Sequence, residues 1–171
     1  ISLLESRKFP LDELRLFASS RSAGKHMSAM GESVVVEEAT ESCFDGLDFA
    51  IFSASGTLSK ALCPAAAAAG VVSIDNSSAF RMDPNVPLVI PEINAAAARD
   101  HQGIIANPNC TTAITLMATF PLHQRFGLKR LITSTYQAVS GSGVAAMAEL
   151  KNQMGQISRG EVLTIEAYPY Q

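Results

Sequence analysis

Short apolar, β-branched runs alternate along this chain with Ala-rich stretches of helical spacing. Residues 1–6 look like the end of a helix. Strands are predicted at 14–18, 34–36, 48–53, 71–75, 86–90, 103–106 and 128–136. Helices are predicted at 57–69, 111–123 and 144–154, and a second Ala run lies within 94–99. In the first of these helices, 65–69 is a low-volume Ala face that can pack close to a sheet, and Gly70 stops it. Strands alternating with helices predict an α/β, Rossmann-like fold, a mostly parallel sheet covered by helices on both faces. The strands are continuous apolar runs, as buried parallel strands are. In such folds ligands bind at the carboxyl ends of strands. The loops that carry function are therefore expected at 19–22, 53–56, 76–78, 107–110 and 137–143. All are small, polar or Gly-bearing.

Composition narrows the classes. The 171 residues are 47% hydrophobic and 17% charged, enough for a packed core. A net charge of -3 argues against nucleic acid held through phosphate neutralisation. No apolar run approaches the roughly 18 residues of a membrane span. Cys43, Cys63 and Cys110 fit neither a zinc spacing nor a disulfide framework, so no metal is expected and the compartment is expected to be cytoplasmic. Cys43 lies in an acidic turn and Cys63 inside a helix, where structural, unreactive thiols are expected.

Cys110 differs. Pro108 disfavours helical geometry at Asn107, so the helix begins after it. Asn109 is a good N-cap, and Cys110 falls in the first turn. Unpaired N–H groups and the helix dipole there favour a thiolate nucleophile and an oxyanion formed on attack. His26 is placed in a polar loop, His101 before a turn and His123 at a helix end. None is assigned a catalytic role.

Asn107-Pro108-Asn109-Cys110-Thr111-Thr112 is followed by Ser134-Thr135-Tyr136-Gln137-Ala138-Val139-Ser140-Gly141. Segments 17–25, 75–81 and 89–94 precede them in the order and spacing of one family. The chain resembles aspartate-β-semialdehyde dehydrogenase. The resemblance implies NADP-dependent, reversible reduction of L-aspartyl 4-phosphate to L-aspartate 4-semialdehyde through a thioacyl Cys110. Gln137 would orient the substrate, while Arg81 and Asn109 would bind substrate or phosphate. Ser19, Ser20, Arg21 and Ser22 stand where NAD enzymes often carry an acid for the ribose. Hydroxyls and a guanidinium there match the 2′-phosphate of NADP. Ser53, Ser55, Gly56, Ser140, Gly141 and Gly143 would let backbone approach the dinucleotide. Ser55 and Ser142 replace the family's frequent Gly and Ala, small for small.

The resemblance also divides the chain. Residues 1–108 would be a partial NADP-binding domain without its first strand and Gly-rich turn. Residues 109–171 would be the start of an α+β catalytic and dimerisation domain. The general acid–base His and the carboxylate-binding Arg would lie beyond it, so the chain alone is expected to be inactive. The whole protein would act as a homodimer or homotetramer on a small-molecule substrate and phosphate. The rival enzymes are N-acetyl-glutamyl-phosphate reductase and glyceraldehyde-3-phosphate dehydrogenase, whose wording around the Cys differs. A cysteine hydrolase would need a His partner that this chain does not offer. A non-catalytic fragment that binds nucleotide or a partner chain is the remaining alternative.

Overall fold

A computed structural model describes residues 1–167. Residues 168–171 of the predicted second domain lie outside the described residues. Residues 1–127 form one compact unit, and a second begins at Leu128.

The first unit opens with helix α1 (Ser2–Ser6) and holds two three-stranded sheets. In one, β3 (Glu32–Glu38) lies between β1 (Leu16–Ala18) and β2 (His26–Ala29). β1 runs parallel to β3, with Leu16 opposite Val36, and β2 runs antiparallel to it. The Arg15 guanidinium and the Glu37 carboxylate join the first pair by a two-bond fork of 2.9 and 2.7 Å. β2 corrects the placement of His26 in a loop. The turn into β3 is Met30–Gly31, with φ 55° and 81°, the two positive angles of a tight hairpin whose twist matches its strands. Asn-Gly is the usual signal for that turn, and Met-Gly conceals it.

The other sheet is all parallel, in the order β4 (Phe49–Phe52), β5 (Val72–Asp75), β6 (Ile104–Ala106). β4 is at its edge, with Phe49 and Ile51 exposed. Helix α2 (Gly56–Ala68) connects β4 to β5, the crossover that a parallel pair requires. The Ser55 side chain caps it by accepting from Leu58 N–H, and Gly70, at φ +82°, lies just beyond its end. α2 buries Leu62, Cys63 and Ala66. Gly103, at φ +94°, passes so close to α2 that a Cβ there would lie 2.5 Å from Ala67 Cβ and 3.2 Å from Ala67 Cα. The small Ala face thus does pack tightly, although Ala68 and Ala69 are exposed. Phe44 links the two sheets, with ring centroids 6.4 Å from Phe17 and 5.9 Å from Phe52.

The strand expected at 86–90 is reduced to one bridge, Leu88 to Ala106. Pro87 has no N–H to donate, and Pro91 already opens the short helix α3 (Pro91–Asn94). The second Ala run follows as a 3-10 helix, Ala95–Asp100. Helix α4 (Cys110–Phe126) closes the unit and ends at Gly127, φ +67°.

In the second unit, the strand expected at 128–136 is not formed. Ile132 and Tyr136 are exposed, and no neighbouring strand takes up backbone ladder bonds among the described residues. A 3-10 turn at Val139–Ser142 leads into helix α5 (Val144–Arg159). Side chains on α5 hold the returning backbone. Glu149 accepts from the N–H groups of Glu166 and Ala167, at 3.1 and 2.5 Å. Gln153 donates to Thr164 O, and Gln156 makes two bonds with Thr164.

Candidate active site

Four strand-end loops of the first unit, after β1, β4, β5 and β6, carry the candidate site residues. After β6, Asn107 turns the chain, Pro108 is buried, and Asn109 caps α4. Asn109 Oδ1 accepts from Thr111 N–H at 3.0 Å and Thr112 N–H at 3.3 Å. Cys110 is the first residue of α4 and is exposed. Among the described residues its hydrogen-bonding neighbour is Thr111 Oγ1, 4.0 Å from Sγ. This is the local geometry expected of the Asn-Cys-Thr-Thr sequence.

Arg81 lies at the same end of the sheet. Its Nε donates to Asn107 O at 2.9 Å and its Nη2 to Asn76 O at 3.0 Å. Nη1 has no partner among the described residues. The guanidinium is therefore clasped by two backbone carbonyls and keeps donors to spare. Asn107 Nδ2 donates to Asn76 Oδ1 at 2.8 Å, so the loops after β5 and β6 are tied directly. Asn76 and Asn107 lie in the predicted loops 76–78 and 107–110, but motif reading gives neither a role of its own. The signal is an Asn just past the end of each of two neighbouring parallel strands.

The loop after β1 turns through Ser22 N–H to Ser19 O, 2.8 Å. Ser19, Ser20 and Arg21 are exposed and Ser22 is half-buried. After β4, Ser53 and Ser55 are exposed, and Gly56 lies where a Cβ would touch Ser78 Oγ at 3.8 Å. The loops after β4 and β5 therefore adjoin.

In the second unit, Gln137 folds over Gly141, and a Cβ at Gly141 would overlap its amide nitrogen. Gln137, Ala138, Val139 and Ser142 line a cavity of about 270 Å³ with Glu149 and Gln153 of α5. Ser140 is exposed, and Gly143, at φ +92°, precedes the first residue of α5.

The other two cysteines are buried. Burial, and then the negative charge of Asp75, push the Cys63 thiol up from 9.0 to about 12. The folded state thus keeps this proton where the unfolded chain has lost it. Stability is expected to fall as pH rises between those two values. Alkylation at neutral pH should modify Cys110 alone in the folded chain and all three thiols in urea, as read by intact mass. Native labelling of Cys63 at the Cys110 rate would refute its packing.

No cluster of three or more His, Cys, Asp or Glu side chains is placed to hold a metal among the described residues. No helix among them is long and apolar enough to cross a membrane.

Residues 1–101 match the family model "Semialdehyde dehydrogenase, NAD binding domain", and residues 120–171 match "Semialdehyde dehydrogenase, dimerisation domain". The chain belongs to the semialdehyde dehydrogenase family. An aspartate-semialdehyde dehydrogenase of Synechocystis sp. is 50% identical over 170 residues, 99% of this chain and 50% of that protein. The crystal structure of aspartate semialdehyde dehydrogenase II complexed with ASA, from Vibrio cholerae, superposes with a TM-score of 0.86 at 41% identity. The match covers 99% of this chain and 51% of that one. A structure of aspartate semialdehyde dehydrogenase with NADP, from Candida albicans, superposes with a TM-score of 0.56 at 25% identity, over 73% of this chain and 43% of that one. The chain spans about half the length of the relatives it matches. The parallel sheet and its crossover helix are those of the family's Rossmann-like NAD-binding domain.

Proposed function

We propose that the protein carrying this chain is an NADP-dependent, phosphorylating aspartate-semialdehyde dehydrogenase, one that reversibly reduces L-aspartyl 4-phosphate to L-aspartate 4-semialdehyde and so serves amino-acid biosynthesis. The observation that carries the reading is the exposed Cys110 at the start of α4, with Arg81 clasped to the carbonyl of Asn107 three residues before it. Cys110 Sγ attacks the acyl carbon, and the bond from that carbon to the phosphate oxygen breaks. Inorganic phosphate leaves towards Arg81, whose remaining donors match a tetrahedral anion. Asn109 contributes beside the nucleophile. Gln137 orients the acyl group with an amide that both donates and accepts. The thioester left on Cys110 is activated towards hydride as a carboxylate is not, so covalent catalysis splits one hard step into two. Bound NADPH would supply that hydride, after which the carbon–sulfur bond breaks and the aldehyde departs.

The cofactor reading rests on donor chemistry. Ser19, Ser20, Arg21 and Ser22 offer hydroxyls and a guanidinium after β1, and this loop holds no carboxylate. Ser53, Ser55 and Gly56 would follow the dinucleotide at β4, and Ser140, Gly141 and Gly143 would adjoin the nicotinamide. Arg21→Ala is expected to raise KM for NADPH about tenfold while leaving that for NADH within twofold, because NADH lacks the 2′-phosphate. Equal changes for the two cofactors would refute the assignment. The functional division is placed at 108/109, between cofactor binding and catalysis. Oligomerisation, as a homodimer or homotetramer, is inferred from the match to a dimerisation domain, and a cytoplasmic location from the three free thiols.

The test is oxidation of L-aspartate 4-semialdehyde followed at the NADPH absorbance, with and without phosphate. Turnover that needs phosphate supports the reading. Turnover indifferent to phosphate, or a preference for N-acetyl-glutamate semialdehyde, refutes it.

A further inference from the structure

The chemistry above gives Asp75 no part, yet its side chain is wholly buried at the end of β5. Its two oxygens accept from Ser77 N–H at 3.0 Å and from Ser77 Oγ at 2.7 Å. The ion pairs among the described residues are Arg15–Glu37 and Arg159–Glu161, so no cation offsets this carboxylate there. Burying an unpaired charge is costly, and a turn alone does not require one. Ser77 Oγ in turn accepts from Ala79 N–H at 3.0 Å, so one carboxylate fixes the backbone from Asp75 to Ala79. That fixed turn aims two groups of Asn76 across the strand ends. Its carbonyl receives Arg81 Nη2, and its side-chain oxygen receives Asn107 Nδ2. Asn107 N–H closes the ring on the Asp75 carbonyl at 2.8 Å.

We propose that Asp75 is a positioning residue, whose carboxylate acts through Ser77 to set the turn that holds the Arg81 guanidinium across Asn107, at the approach to Cys110. The inference rests on the roles given to Cys110 and Arg81 above. It is tested first by a readout that needs no turnover. Iodoacetate, an anion, and iodoacetamide, a neutral reagent, both alkylate an exposed thiol. A guanidinium held near Cys110 favours the thiolate for both reagents but attracts only the anion, so the ratio of the two rates isolates that attraction.

The iodoacetate-to-iodoacetamide rate ratio at Cys110 is expected to fall about threefold in Arg81→Gln. Ser77→Ala and Asp75→Asn should each reproduce most of that fall. Ser77→Ala added to Arg81→Gln should change nothing more, since both act through one group. Wild-type ratios in Ser77→Ala and Asp75→Asn, with circular dichroism unchanged, would overturn the proposal. So would a wild-type ratio in Arg81→Gln. If Asp75→Asn does not fold, Ser77→Ala decides alone. In the turnover assay, Ser77→Ala should raise KM for phosphate about threefold and leave kcat within twofold. Loss of kcat with an unchanged KM for phosphate would mark a merely structural role. Because alkylation uses neither aldehyde nor nucleotide, its outcome stands whether or not the dehydrogenase reading does.

Discussion

Cys110→Ser, in the protein that carries this chain, is expected to lower phosphate-dependent kcat by about a thousandfold or more. A hydroxyl at this place keeps the shape of the helix start and its Asn109 cap, so the fold has no reason to change. What it loses is the thiolate, and with it the thioester that accepts hydride. Serine at neutral pH is a poor nucleophile without an adjacent base. Sγ of Cys110 has only the Thr111 hydroxyl beside it among the described residues. Cys110→Ala should be equally silent, and both variants should melt as the wild type does. The deciding measurement is single-turnover phosphate release from the acyl phosphate. A release rate near wild type in either variant would remove Cys110 from the chemistry.

Gly103→Ala is expected to be the most damaging single-methyl change in the first unit. Two costs combine there. At φ +94° an L side chain is strained by about 1–2 kcal/mol. The added Cβ would also meet Ala67 Cβ at 2.5 Å and Ala67 Cα at 3.2 Å, with backbone behind them that cannot swing away. Such overpacking costs about 1–3 kcal/mol. A drop in Tm of more than about 10 °C is expected by differential scanning calorimetry. Gly24→Ala is the control, because its φ is +82° but a Cβ there meets nothing within 4 Å. It should show the strain alone. Equal losses in the two variants would mean that the contact between α2 and β6 carries no weight. The same contact sets the start of β6, which ends just before Asn107, so a surviving Gly103→Ala protein should also misplace Cys110.

The parts of this molecule that were legible in its sequence are those where one local rule acts alone. Asn109 and Pro108 specify where α4 begins, and the cap forms as their chemistry requires. Ser55 and Gly70 bracket α2 in the same way. What stayed hidden depended on partners far along the chain. β2 is short and mostly exposed, and only pairing with β3 through an unusual Met-Gly turn makes it a strand. Residues 128–136 have the composition of a strand but no strand beside them here. Residues 86–90 are apolar, but two prolines leave them one bridge. At the site, motif wording singles out Cys110 and Arg81. The tie between Asn76 and Asn107 spans 31 positions and appears only when β5 and β6 lie side by side.

β4 has a further consequence, for the behaviour of the chain in solution. Among the described residues one long side of this strand has no ladder partner, while Phe49 and Ile51 project apolar surface, 62% and 67% exposed. An edge of that kind is a template onto which any extended peptide can add itself as another strand. For this chain by itself, self-association should therefore begin at this border, and a strand supplied there by the rest of the protein should abolish it. The segment Asp48-Phe49-Ala50-Ile51-Phe52 would act as the adhesive, and one lysine in place of Ile51 would serve as its gatekeeper.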